Sequence, residues 1–161
     1  MKRLWARQKQ LVFEISTRER DLLFEILRLY PLVPPAHHRL SKTDANDQFN
    51  ENQRLLEEAL AAQRAENRKH IQALLNEPGR FQTAPNGLLL KISRSETDWL
   101  LQVLNDVRVG SWIALGSPDT EAGEKILVNE ETAPHVRSME IAGAFETVLL
   151  DALTGGQDRS R

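Results

Sequence analysis

Four histidines, His37, His38, His70 and His135, are the residues best suited by type to hold a metal or move a proton. A metal site on a helix needs ligands that converge, as two histidines four residues apart do. His37 and His38 are adjacent and point apart on any regular element. No His-Glu-x-x-His is present, and the chain has no cysteine. The imidazoles therefore read as surface groups. Without cysteine there is no disulfide framework, thiolate zinc site or thiol nucleophile. Asp44-Ala45-Asn46-Asp47 begins like a calcium loop, but the glycine and the bidentate glutamate such a loop needs further on are missing. Asp47 reads instead as a helix N-cap. The eight glycines form neither a dinucleotide nor a Walker fingerprint. Ser111 and Ser117 lie outside any nucleophile elbow. The sequence assigns no catalytic residue, no cofactor and no metal.

One constellation resists so plain a reading. Asn105, Asp106 and Arg108 sit together in a segment that is otherwise leucine, valine and tryptophan. Counted at about 100° per residue, Arg108 falls among Leu101, Leu104, Trp112 and Leu115, a face that should be buried. A buried guanidinium must be paired, because an unpaired buried charge is costly. Glu25, Glu140 and Glu146 are the expected carboxylate partners on other helices. On that reading Arg108→Met is tolerated better than loss of the acid. The competing reading is a groove in which Arg108 binds an anion or a partner's carboxylate. Asn105, Asp106 and Arg108 are thus the candidate buried polar or interaction site.

The elements that must position these residues follow from the periodicity. Two short apolar runs, Leu11-Val12-Phe13-Glu14-Ile15 and Leu88-Leu89-Leu90-Lys91-Ile92, read as strands. Each leads straight into a capping box, Ser16-x-x-Glu19 and Ser93-x-x-Glu96. Residues 11–27 align without a gap on 88–104, with Leu11/Leu88, Ile15/Ile92, Ser16/Ser93, Glu19/Glu96, Asp21/Asp98, Leu23/Leu100 and Leu27/Leu104 identical. Internal duplication and convergence on one capped strand–helix design both account for this. The two strands are expected to pair with each other.

Helices are expected over 17–30, 47–76, 96–115 and 134–153. Pro31, Pro34 and Pro35 end the first. The middle of the second, Ala61 to His70, is polar and short in side chain. The third is apolar almost all round and belongs at the centre, with Asp98, Gln102 and Asn105 as its one wet stripe. Lys125 to Val128 reads as a short extended piece. The expected architecture is mainly α: four main helices in one domain over 1–161, with a small two-stranded β-ribbon and a frayed tail at 154–161.

Composition narrows the function classes. The chain has 161 residues, 40% hydrophobic and 27% charged, which suits one domain with its own core. No stretch approaches the ~20 apolar residues of a membrane span. The net charge of −2 gives no general attraction to nucleic acid. The first ten residues carry Lys2, Arg3, Arg7 and Lys9 without an acid, but no aromatic ladder or second basic patch accompanies them.

The stretch Trp99-Leu100-Leu101-Gln102-Val103-Leu104-Asn105-Asp106-Val107-Arg108 resembles an uncharacterised bacterial family of about this length, best known from actinobacteria. That family has a Trp-Leu…Leu-Asn-Asp-x-Arg stretch late in the chain and a strand-then-helix start. Here the text continues as Val109-Gly110-Ser111-Trp112, a departure from the family pattern. Genes of the family often lie near that of the small Clp protease adaptor, so the resemblance implies a link to proteolysis control and no catalytic residue. The expectation is a cytoplasmic, non-catalytic binding or regulatory protein with a protein partner and no membrane association. The alternatives are a nucleic-acid binder using the basic N-terminus and an enzyme with its site around Arg108. The sequence leaves the oligomeric state open.

Overall fold

The structure, a computed structural model, describes residues 1–7, 9–35 and 47–154. His37, His38, Asp44, Ala45, Asn46 and all but the first residue of the expected tail lie outside the described residues. The chain runs β1 (Lys2–Arg7), β2 (Gln10–Ile15), α1 (Thr17–Arg28), α2 (Asp47–Asn76), β3 (Phe81–Ala84), β4 (Gly87–Ser93), α3 (Arg94–Ala114) and α4 (Ala133–Thr154). The strands form one antiparallel sheet in the order β1-β2-β4-β3.

This corrects the mainly α, two-stranded expectation: the fold is α/β, four helices with a four-stranded sheet. The expected central pairing is present, with Leu11 opposite Ile92 and Ile15 opposite Leu88. Two flanking strands had escaped the sequence pattern. In β1 the alternation is hidden by Lys2, Arg3 and Arg7, the kind of charge that keeps an edge strand from pairing with other chains. In β3 only four residues, Phe-Gln-Thr-Ala, form the strand, too few to show a period.

Leu11, Phe13 and Ile15 meet Leu90 and Ile92 in the core, where they join Leu23, Ile26 and Leu27 of α1. From α3 come Leu100, Val103, Leu104 and Val107, and from α4 Ala142, Phe145, Leu149 and Ala152. Both capping boxes are complete: each serine oxygen accepts from the glutamate amide, and each glutamate accepts from the serine amide. Such a cap contributes about 1 kcal/mol.

The strand register shows more order than the alignment alone. An offset of 77 carries Leu11 to Leu88, and it exchanges the pair Leu11–Ile92 with the pair Ile15–Leu88. Phe13 and Leu90 exchange with each other, so a pseudo-two-fold axis passes between them. The same offset takes Arg7–Gln10 to Ala84–Gly87, Ala6–Leu11 to Thr83–Leu88 and Trp5–Val12 to Gln82–Leu89. The agreement ends at the register shift between Arg3 and Trp5 in β1. The chain is thus two β-hairpin–helix units, each followed by a further helix, α2 or α4.

The halves part company after their capped helices. Prolines end α1 at Arg28, whereas α3 runs on to Ala114 and packs along α4. The chain after α1 turns back over α3. There Gly110 permits the close approach, since a Cβ on it would lie 2.7 Å from both the carbonyl carbon and Cβ of Leu32.

Candidate functional site

A concavity among the described residues lies between α2 and α3. It is an open groove of about 520 Å³. Its apolar lining is Val33, Leu60 and Val109. Its polar lining is Tyr30, Gln63, Arg64, Asn67, Gln102, Asn105 and Asp106.

The groove is built from one chain of carboxamides. Asn67 is only 2% exposed. Its Nδ2 donates to the Tyr30 hydroxyl at 3.1 Å, and its Oδ1 accepts from Gln63 Nε2 at 3.3 Å. Gln63 Nε2 also lies 3.2 Å from Gln102 Oε1, which joins α2 to α3 across the groove. A buried asparagine so bonded fixes α2 against the chain after α1, because any other placement strands its amide.

Charge in the groove is balanced and committed. Asp106 accepts the backbone amides of Leu32 at 2.6 Å and Val33 at 3.2 Å. Arg64 donates to the Val33 carbonyl at 2.8 Å. Together they clamp the chain after α1 from both sides. Both amides bond the same oxygen, Asp106 Oδ1, which anchors this carboxylate to the chain after α1.

Asn105 and Asp106, expected from the sequence, therefore line this groove. Arg108 does not. It faces the other side of α3, by a smaller concavity of about 200 Å³ lined by Arg108, Val109, Trp112 and Met139. Its pairing follows one of the three expected partners: Nε lies 3.1 Å from Glu146 Oε2 on α4, and NH2 donates to Asn105 Oδ1 at 2.9 Å.

The expected burial of Arg108 is corrected. Its side chain is 45% exposed, while that of Glu146 is 13% exposed. Of the residues counted on that face only Leu104 is fully buried; Leu101 and Leu115 are half-buried and Trp112 exposed, so Arg108 lies at the edge of the core rather than within it. Burial pushes the Glu146 carboxyl above its ordinary range, and the Arg108 charge and hydrogen bond offset only part of that.

Each member of the Asn-Asp-x-Arg stretch now has a structural task. Asp106 holds the chain after α1, Arg108 holds α4, and Asn105 accepts from Arg108. Trp99 ahead of them is 8% exposed and stacks on His70 of α2, with ring centroids 5.2 Å apart and an interplanar angle of 11°.

Sequence reasoning missed Tyr30, Gln63, Arg64 and Asn67. One signal was available: Asn67 continues the apolar series Leu60, Ile71 and Leu74 in α2, a position where asparagine is out of pattern. Among the described residues no group of three or more His, Asp or Glu side chains is placed to hold a metal ion. Nor is any described helix long and apolar enough to cross a membrane. Comparison with family models, with curated proteins and with solved structures returns no match.

Proposed function

We propose that this protein is a non-catalytic binding or regulatory protein whose α2–α3 groove holds an extended segment of a partner polypeptide. The observation that carries this reading is the set of carboxamides, Gln63, Asn67, Gln102 and Asn105, beside an apolar lining of Leu60, Val33 and Val109. Their mutual bonds leave the Gln63 carbonyl as an acceptor and the Gln102 and Asn105 amide groups as donors, the complements of the N–H and C=O groups that an extended backbone presents. The apolar lining accepts side chains, and the balanced Arg64 and Asp106 leave no strong preference for a charged ligand. The resemblance over Trp99 to Arg108 adds a bacterial cytosolic setting and a link to proteolysis control as part of the same proposal.

The enzyme reading around Arg108 is weaker, because its guanidinium is occupied by Glu146 and Asn105 at the surface. A photo-crosslinking residue at Gln102, used in bacterial lysate, tests the binding reading. Discrete protease-sensitive adducts are expected, absent when the same residue replaces Asp151 and lost when Leu60→Asp is added. Adducts sensitive to nuclease but not protease, or none at all, would overturn it.

A further inference from the structure

The offset of 77 that relates the two halves also relates two grooves. It takes Glu25 to Gln102 and Leu29 to Asp106, and α1 with α4 corresponds to α3 with α2. At that corresponding place, between α1 and α4, lies a second concavity of about 470 Å³. Glu25, Leu29, Glu130, Pro134, Arg137 and Ile141 are among its lining residues.

We propose that this α1–α4 groove is a second binding site, one that takes a partner segment carrying an aliphatic side chain next to arginine or lysine. The inference does not depend on what fills the α2–α3 groove.

The chemistry has changed between the two positions. Where one groove has glutamine and aspartate, the other has glutamate and leucine. Leu29 is 39% exposed there, beside Pro134 and Ile141. Glu25 pairs with Arg137 at 3.1 Å, both side chains more than half exposed. Glu130 gives the groove a second carboxylate against that one guanidinium.

The chain leading into α4 adds to both properties. It carries Asp119, Glu121, Glu124, Glu130 and Glu131 against the single cation Lys125. In its midst Leu127 is 76% exposed and Val128 63% exposed. These two are held in place, because the Leu127 carbonyl accepts from Thr132 Oγ1 at 2.6 Å and Asn129 caps the Glu131 and Thr132 amides at 2.9 Å. These adjacent exposed aliphatics, three and two residues before the groove-lining Glu130, lie close to the groove along the chain. The acidic surroundings select the charge of what docks there.

NMR titration of the full chain provides the test. The probes are the peptide acetyl-Leu-Arg-Leu-Lys-amide and its acidic counterpart acetyl-Leu-Glu-Leu-Glu-amide. Saturable shifts are expected at Leu29, Leu127, Ser138 and Ile141 with the basic peptide only. The double variant Glu25→Gln, Glu130→Gln should weaken binding about tenfold, as loss of two opposing charges predicts, while Gln102→Ala leaves it unchanged. The spectrum of each variant away from the groove reports whether the fold is intact. Equal response to both peptides, shifts confined to the α2–α3 groove, or indifference to the double variant would overturn the proposal. So would self-association through this face that the basic peptide does not displace, since the occupant would then be a second copy. Failure of the crosslinking at Gln102 leaves this result untouched, so the two readings fail separately.

Discussion

Glu146 is the buried member of its ion pair and Arg108 the exposed one, and that order decides which loss costs more. Removing the guanidinium leaves a carboxylate in a 13% exposed position with no opposing charge. Removing the carboxylate leaves an arginine that water can reach. The order expected from the sequence is therefore reversed: Arg108→Met should destabilise by roughly 1–3 kcal/mol, and Glu146→Gln by less, as read by denaturant unfolding. The raised carboxyl also gives a pH signature. The folded state takes up the Glu146 proton at a higher pH than the unfolded chain does. Stability therefore rises as pH falls through the window between the folded and the ordinary carboxyl pKa, and this contribution is lost as pH rises. The difference between wild type and Glu146→Gln should show that slope; parallel pH profiles would contradict it. Trp99→Ala should cost about 3–5 kcal/mol, because the ring is buried and His70 loses its stacking partner. The burial of Trp99 was legible in the sequence and the exposure of Arg108 was not, for one physical reason. A helix apolar on nearly every side has no polar face to orient it, so periodicity finds the apolar residues without saying which of them form the rim.

At the scale of elements, what the sequence revealed depended on length and sign. The capped helices were legible because Ser-x-x-Glu is a local device that needs no tertiary context. The full extent of α2 was legible from its apolar series and the Pro78-Gly79 stop. The edge strands were not: β1 is masked by charge and β3 by brevity, and both are recognised only through hydrogen bonds to β2 and β4. The candidate site was half legible. Asn105 and Asp106 stood out against an apolar helix, but Gln63 and Asn67 in a polar stretch of α2 did not. What brings them together is the chain after α1, seated against Gly110. Gly110→Ala would force Leu32 away from α3 and pull the Leu32 and Val33 amides from Asp106. A loss of roughly 1–3 kcal/mol is expected from such overpacking, together with chemical-shift changes at Gln102 and Asn105 on the groove. A Gly110→Ala protein with unaltered stability and an unaltered groove would show that this approach is slack.

At the scale of the whole molecule, the offset seen as seven identities in the sequence becomes a symmetry of the sheet. The alignment could not show that Phe13 and Leu90, equivalent in the two halves, would be direct neighbours. That follows from antiparallel pairing of two copies of one strand. The shared central strands also mean that neither half has a core of its own. Leu11, Phe13 and Ile15 bury their faces in the same cluster as Leu90 and Ile92. Unfolding should accordingly be a single transition, with tryptophan fluorescence and far-ultraviolet circular dichroism tracing coincident curves; separated midpoints would mean that the halves are independent. The same sheet order sets a timetable for synthesis. β2 leaves the ribosome long before the strand that covers its inner edge, since 78 residues separate its last residue from the last of β4. At ~5–20 residues per second, Gln10–Ile15 waits ~4–16 s for its neighbour. During that interval a nascent chain exposes an apolar strand with an unpaired edge, a natural client for a chaperone at the exit tunnel.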